Sequence, residues 1–282
     1  MAEIGEINKL KVLKVDPYGA LMGAGDLGDA LLPQRLVPPN TKEGDEIEVF
    51  LFIDAKDRLS ATTAKPKAKV GEVAFLKVAQ TTSVGAFLDW GLPKDLLVPF
   101  SEQRSKMQEG QKHVVYVYLD QTDRVVASTK LNRFIKYESR GYKLGQKVSL
   151  MINDITDIGY NAVINHRHWG LLFFDDVINR LKVGDQITGF IRNIRDDGRI
   201  DLSLQAIGYG KVKDLKQQVL DALNENDGYL PLSDKSPAED IYEKFGVSKK
   251  SYKMTIGTLY KQRKIVIDRA GITLVKNGTG SR

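Results

Sequence analysis

Three segments of this chain carry the same anchor residues at the same distances, and no other feature limits the fold as much. The first has Tyr18-Gly19-Ala20-Leu21, Leu31-Leu32-Pro33, Gly44-Asp45 and Asp57-Arg58. The second has Val84-Gly85-Ala86-Phe87, Leu97-Val98-Pro99, Gly110-Gln111 and Asp123-Arg124. The third has Ile158-Gly159-Tyr160, Leu171-Leu172-Phe173, Gly184-Asp185 and Asp197-Gly198-Arg199. From the first glycine to the leucine anchor is 12 residues each time, and to the second glycine 25. From there to the arginine is 14, 14 and 15 residues, and Thr62, Ser128 and Ser203 follow the arginines by four. A shared period of this kind marks copies of one folding unit.

Each unit reads as all-β. Runs such as Ile47–Ile53 and Val114–Leu119 are rich in β-branched and aromatic residues, and Asp57-Arg58, Asp123-Arg124 and Asp197-Gly198 sit where a hairpin must reverse. Five short strands in roughly 65 residues, with glycines that let them coil, predict a small closed barrel of the oligonucleotide-binding (OB) type. The expected units are residues 1–66, 67–131 and 145–210, with a linking helix over 132–144.

Composition narrows the setting. The 282 residues include no cysteine, which excludes a disulfide framework, a thiolate metal site and a cysteine nucleophile. No apolar run reaches the ~18 residues of a membrane span, and the acidic start is unlike a signal peptide, so a cytoplasmic location is expected. The net charge of +6 raises the prior for a polyanionic partner only slightly.

The string G-A-F-L, L-V-P, G-Q, D-R-V-V-A-S in the second repeat resembles the RNA-binding S1 domain. The resemblance implies an RNA face of two aromatics, a histidine and an Asp-x-x-x-Arg pair. Carried over residue by residue, the first repeat keeps Tyr18, Asp54 and Arg58. The second keeps Phe87, Asp120 and Arg124. The third keeps Arg199, with Phe173 at the histidine position, while Ile158, Asn161 and Arg195 depart from the pattern. Stacking rings and phosphate-tracking cations are what sequence-tolerant binding of single-stranded RNA requires. Two other readings stay open: Phe87 and Tyr18 as core aromatics, and Arg124 as a solvated hairpin residue.

Charge separates the units. Residues 1–66 carry 8 cations against 11 acids, 67–144 carry 13 against 8, and 145–210 carry 7 against 8. The second unit therefore joins the best motif to a favourable field, and the acidic first unit suits a spacer or protein contact.

After Gly208-Tyr209-Gly210 the apolar period becomes helical: Val212, Leu215, Val219, Leu220 and Leu223 share one face. Asn226-Asp227-Gly228 stops that helix. Ser236-Pro237-Ala238-Glu239 reads as a capping box with proline at the first helical position, and Gly246 as the end of the second helix. Ser248 caps a third helix, and Ile265–Ile267 and Ile272–Val275 flank a hairpin turn. Helix, helix, helix and two-stranded wing is the winged-helix order, expected over 211–276 with a tail at 277–282. Lys249, Lys250, Lys253, Lys261 and Arg263 are its candidate RNA contacts; a helix laid in a DNA major groove is the second reading, and protein docking the third. Lysines at a helix start oppose its dipole, which argues for a functional reason for Lys249 and Lys250.

Three S1-like barrels and a winged helix in this order are similar to the conserved virulence factor B (CvfB) family. The strings Trp169-Gly170-Leu171-Leu172, Asp197–Leu204, Gly228–Pro237, Ser248-Lys249-Lys250 and Leu259–Gln262 carry that likeness. It implies a bacterial, cytoplasmic, RNA-binding regulator of gene expression. The expected fold is thus mostly β, three tandem OB barrels plus a C-terminal α+β winged helix. A protein-docking adaptor is the alternative.

Other patterns point elsewhere only on paper. Gly23-Ala24-Gly25-Asp26-Leu27-Gly28 matches a dinucleotide-binding string, but a strand rather than a helix is expected to follow. His166 and His168 lack an evident third ligand. Adjacent acids at Asp175-Asp176 and Asp196-Asp197 suit turns better than paired acid/base work. No catalytic residue, metal or cofactor is expected.

Overall fold

The computed structural model describes residues 1–138, 141–177, 179–205 and 215–275. The Gly208–Gly210 boundary, Val212 and the tail at 277–282 lie outside them.

Barrel 1 comprises β1 (Ile7–Asp16), β2 (Gly19–Gly23), β3 (Asp29–Pro33), β4 (Glu46–Ile53) and β5 (Leu59–Thr62). It closes in the order β1-β2-β3-β5-β4, with β3 and β5 parallel. Barrel 2 repeats the plan with β6 (Val73–Thr81), β7 (Gly85–Asp89), β8 (Leu96–Pro99), β9 (Lys112–Leu119) and β10 (Val125–Ser128). Its sheet runs β10-β9-β6-β7-β8, so the β8/β10 seam is held without ladder hydrogen bonds. Barrel 3, from β11 (Lys147–Ile155), β12 (Gly159–Ile164), β13 (His168–Phe173), β14 (Gln186–Ile194) and β15 (Ile200–Ser203), closes in the same order as barrel 1.

The repeated residues have geometric causes. A Cβ on Gly19, Gly85 or Gly159 would lie 2.0, 2.3 or 2.2 Å from the carbonyl oxygen of Leu32, Val98 or Leu172, so only glycine lets the second and third strands approach. Residues Asp57, Asp123 and Gly198, each just before the anchor arginine, are left-handed, at φ 56°, 57° and 78°. The 15-residue spacing in the third repeat is a one-residue bulge in β14, where the pairing with β15 shifts between Ile191 and Asn193. A further anchor went unread in the sequence. Gly5, Gly71 and Gly145 each lie 14 residues before the first repeat glycine, and each donates its amide to a carbonyl of the fourth strand, Leu51, Val117 or Ile191.

The barrels are packed together, not strung out. Phe50 of β4 is buried in the core of barrel 2, edge-on to Trp90 with ring centroids 5.6 Å apart. Val73, Val114, Leu131 and Ile135 join Met151, Val163 and Trp169 in one cluster between barrels 2 and 3. Among its described residues, the segment expected as a linking helix is instead one 3-10 turn, Leu131–Arg133, followed by irregular chain in which Lys136 bridges to His168. Tertiary pairing explains the difference: the Lys136 amide donates to Arg167 O at 3.0 Å, and its carbonyl accepts from the Trp169 amide at 2.8 Å.

The C-terminal domain has α1 (Leu215–Glu225), β16 (Tyr229–Leu230), α2 (Ala238–Phe245), α3 (Lys249–Lys261), β17 (Ile265–Ile267) and β18 (Ile272–Leu274), with sheet order β16-β18-β17. This is the winged-helix arrangement. Gly246 ends α2 in the left-handed conformation, and Ser248 caps α3 by accepting from the Ser251 amide. The capping box at α2 does not form. Pro237 is the N-cap, not the first helical residue, and Ser236 Oγ accepts instead from the Ser233 amide at 2.9 Å. Among the described residues no helix is long and apolar enough to cross a membrane.

Candidate nucleic-acid interface

In an OB barrel the second and third strands, the loop joining the first two strands and the loop joining the last two form one ligand face. The repeat puts three matched positions there: Tyr18, Val84 and Ile158 in the first loop; Leu21, Phe87 and Asn161 on the second strand; Arg58, Arg124 and Arg199 in the last hairpin.

In barrel 1, Tyr18 is 81 % exposed, so it is not a core aromatic. Arg58 donates from Nε (3.1 Å) and Nη2 (2.8 Å) to Asp54 Oδ2. Burial alone would raise the Asp54 carboxyl, but the Arg58 guanidinium and the amides of Lys56 and Arg58 outweigh it and hold the group at about 2. Barrel 2 crowds this face. The cleft of about 260 Å³ beside Arg58 is walled by Leu31 and Pro33 of barrel 1 and by Trp90, Leu92 and Pro93 of barrel 2.

In barrel 2, Phe87 stands half-buried between the buried Ala86 and Leu88, so it points outward from the strand. Asp120 and Arg124 do not repeat the side-chain pair of barrel 1. Asp120 Oδ1 accepts the amides of Thr122 (2.7 Å) and Arg124 (3.1 Å) and the Thr122 hydroxyl (2.7 Å). Burial pushes this carboxyl up, and those bonds pull it below its ordinary value. The Arg124 guanidinium turns away to Asp57 Oδ1 of barrel 1.

In barrel 3, Phe173 is half-buried at the end of β13, facing Gly159 across the pair. Arg199 is largely exposed, 3.5 Å from Asp197, and its guanidinium lies 5.9 Å from the centre of the Tyr137 ring. Arg195, where the other repeats have aspartate, pairs with Asp201 at 2.7 Å. Tyr137 escaped the sequence reading because it belongs to no repeat. Its only signal was an aromatic in a segment taken as helical linker.

The histidines connect parts of the molecule. His166 Nδ1 accepts the Val73 amide of barrel 2 at 2.9 Å, and His168 Nδ1 lies 3.2 Å from the Tyr142 hydroxyl. The glycine-rich string forms a 3-10 turn, Gly25–Leu27, and runs into β3, as its continuation had suggested.

The five winged-helix cations separate into two groups. Lys249 Nζ approaches Lys235 O at 3.4 Å, Lys250 lies 3.5 Å from Asp175 of barrel 3, and Lys253 lies 3.6 Å from Asp234. Asp175 thus gives Lys250 a structural partner at the helix start. Lys261, the last residue of α3, and Arg263, just past it, are exposed and have no acidic partner among the described residues.

Comparison with known proteins agrees with this architecture. A family model for the S1 domain matches residues 4–64 and 70–130, and one for the CvfB-like winged helix domain matches 217–274. The chain is similar to Conserved virulence factor B of Staphylococcus epidermidis, 28% identical over 244 residues, covering 83% of this chain and 82% of that one. It is also 28% identical over 254 residues to Conserved virulence factor B of Staphylococcus aureus, covering 83% and 81%. Among solved structures, a multidomain protein with nucleic acid binding domains from Streptococcus pneumoniae covers 96% of this chain and 98% of its own, at 20% identity and a TM-score of 0.40. The chain thus carries two S1 domains, a third barrel of the same strand order and a CvfB-like winged helix domain, and over 83% of its length it is similar to Conserved virulence factor B.

Proposed function

We propose that the chain binds single-stranded RNA without transforming it, and acts as a cytoplasmic post-transcriptional regulator in a bacterium. One observation carries the reading: the same left-handed hairpin sets Arg58, Arg124 and Arg199 in the last loop of each OB barrel, with the Arg124 guanidinium engaged by Asp57 and those of Arg58 and Arg199 left partly exposed. Cations in these loops suit a strand of phosphates, and Tyr18, Phe87 and Tyr137 add rings for bases. The net positive charge of residues 67–144 and 211–282 favours a polyanion over a neutral partner.

Shared cores make the barrels one preformed surface, so a flexible strand that touches one barrel meets the next at high effective concentration. Lys261 and Arg263 add two exposed cations at the winged helix; the same two would serve DNA. Fluorescence anisotropy with labelled single-stranded and duplex RNA, at two salt concentrations, tests the proposal. Preference for the single strand, weakening as salt rises, supports it; no binding, or salt-independent binding, overturns it. Crosslinking in cells followed by sequencing of the recovered RNA tests the regulatory part.

A further inference from the structure

The third barrel carries the weakest S1 pattern in sequence, yet it has an open cleft of about 480 Å³ on its ligand face. Tyr137, Ile158, Asn161, Trp169, Arg195 and Arg199 line it. The second-strand position that is Phe87 in barrel 2 is Asn161 here, so the barrel itself offers no ring at that place.

The chain between the barrels supplies one. Lys136 is tied by backbone hydrogen bonds to both Arg167 and Trp169, on the edge of β13 that Ile200 of β15 takes up two residues further on. That pairing fixes Tyr137 beside the last hairpin, where Gly198 packs against Glu138. The Tyr137 ring lies 6.1 Å from Trp169 and under the Arg199 guanidinium, and 46 % of the residue is exposed. Ile158, 57 % exposed, adds an apolar wall. Trp169 is 3 % exposed, and its indole N–H is buried with no hydrogen-bond partner.

We propose that this cleft is a nucleotide subsite in which one unpaired RNA base stacks on Tyr137, a residue of the inter-barrel segment rather than of the barrel. Arg199 faces the adjacent phosphate. Asn161 offers a donor and an acceptor to the base edge. The subsite deepens the RNA-binding reading and rests on it.

The test uses the full chain with fluorescein-labelled oligo(U) and oligo(A) RNA. Tyr137→Ala is expected to weaken binding by about 5- to 100-fold, the range of one lost base–aromatic stack. Tyr137→Phe should stay within about 2-fold, because the ring face is kept. Tyr137→Leu guards against a folding artefact: it keeps apolar packing, should melt like the parent chain, and should still bind as weakly as the alanine variant. Arg199→Ala should flatten the salt dependence by about 0.7 in the log–log slope, whereas Tyr137→Ala should leave that slope alone. Crosslinking with 4-thiouridine RNA, mapped by mass spectrometry, should mark Tyr137. If the parent chain binds RNA while Tyr137→Leu binds equally well and no crosslink falls on Tyr137, the subsite is refuted and the wider reading stands. If the parent chain binds no RNA, both fail.

Discussion

The guanidinium of Arg124 reaches Asp57 Oδ1 at 2.5 Å, joining the last hairpin of barrel 2 to the last hairpin of barrel 1. Equivalent turns of adjacent repeats thus touch, and the arginine expected to face RNA is shared with a neighbour. Both side chains keep much of their surface in water, so the contact orients more than it stabilises.

This arrangement ranks the first two barrels. Replacing Phe87 and Arg124 together by alanine should weaken RNA binding more than replacing Tyr18 and Arg58, because barrel 1 is acidic and barrel 2 crowds its face. Anisotropy at two salt concentrations reads the difference; equal losses would refute the ranking.

Asp54 gives a pH-dependent contribution of known sign. Its carboxyl lies at about 2 in the fold, below its ordinary 3.8. A depressed folded value stabilises fully above 3.8 and is lost as pH falls towards 2. Asp54→Asn should therefore cost about 1 kcal/mol at neutral pH, discounted because Arg58 is mostly exposed, and the gap should narrow as pH falls from 3.8 towards about 2. Urea midpoints measured from about pH 7 to about pH 2.5 check this.

The two classes of repeat glycine should respond unequally. Gly85→Ala drives a Cβ to 2.3 Å from Val98 O and should cost about 3 kcal/mol or more. Gly110→Ala meets open space and bears only the strain of φ 83°, about 1 kcal/mol. Chemical denaturation of both variants provides the comparison.

His166 should act as a coupling residue. His166→Ala strands the Val73 amide, and Val73 is buried, so a loss of about 1–3 kcal/mol is expected. His166→Asn keeps an acceptor on a residue type that tolerates its φ of 63° and should recover part of it. Equal urea midpoints for the two variants would show that the bond to Val73 does not matter.

Barrel topology was legible because the anchors that repeat each meet a local geometric demand. Gly19, Gly85 and Gly159 permit close approach of strands, and the residues before each arginine make left-handed turns. The winged helix was legible from its caps at Gly246 and Ser248. What escaped depends on neighbours. Phe50 lies in the continuous apolar run Val49–Ile53, which marks burial on both faces but does not say that its ring enters the core of the next barrel. Arg124 matches Arg58 in sequence, yet the partner that redirects it lies 67 residues away. Residues 132–144 hold enough helix formers to suggest a helix, but the edge of β13 captures Lys136. Tyr137 follows from that capture, so no repeat could have revealed it.

The position of Phe50 also bears on how the chain is made. When the last strand of barrel 1 has been made, at Thr62, the Phe50 ring that belongs against Trp90 has no cover until 28 further residues have been synthesised. Barrel 1 cut out alone would keep that greasy spot bare, so the first repeat finishes its folding only in the company of the second.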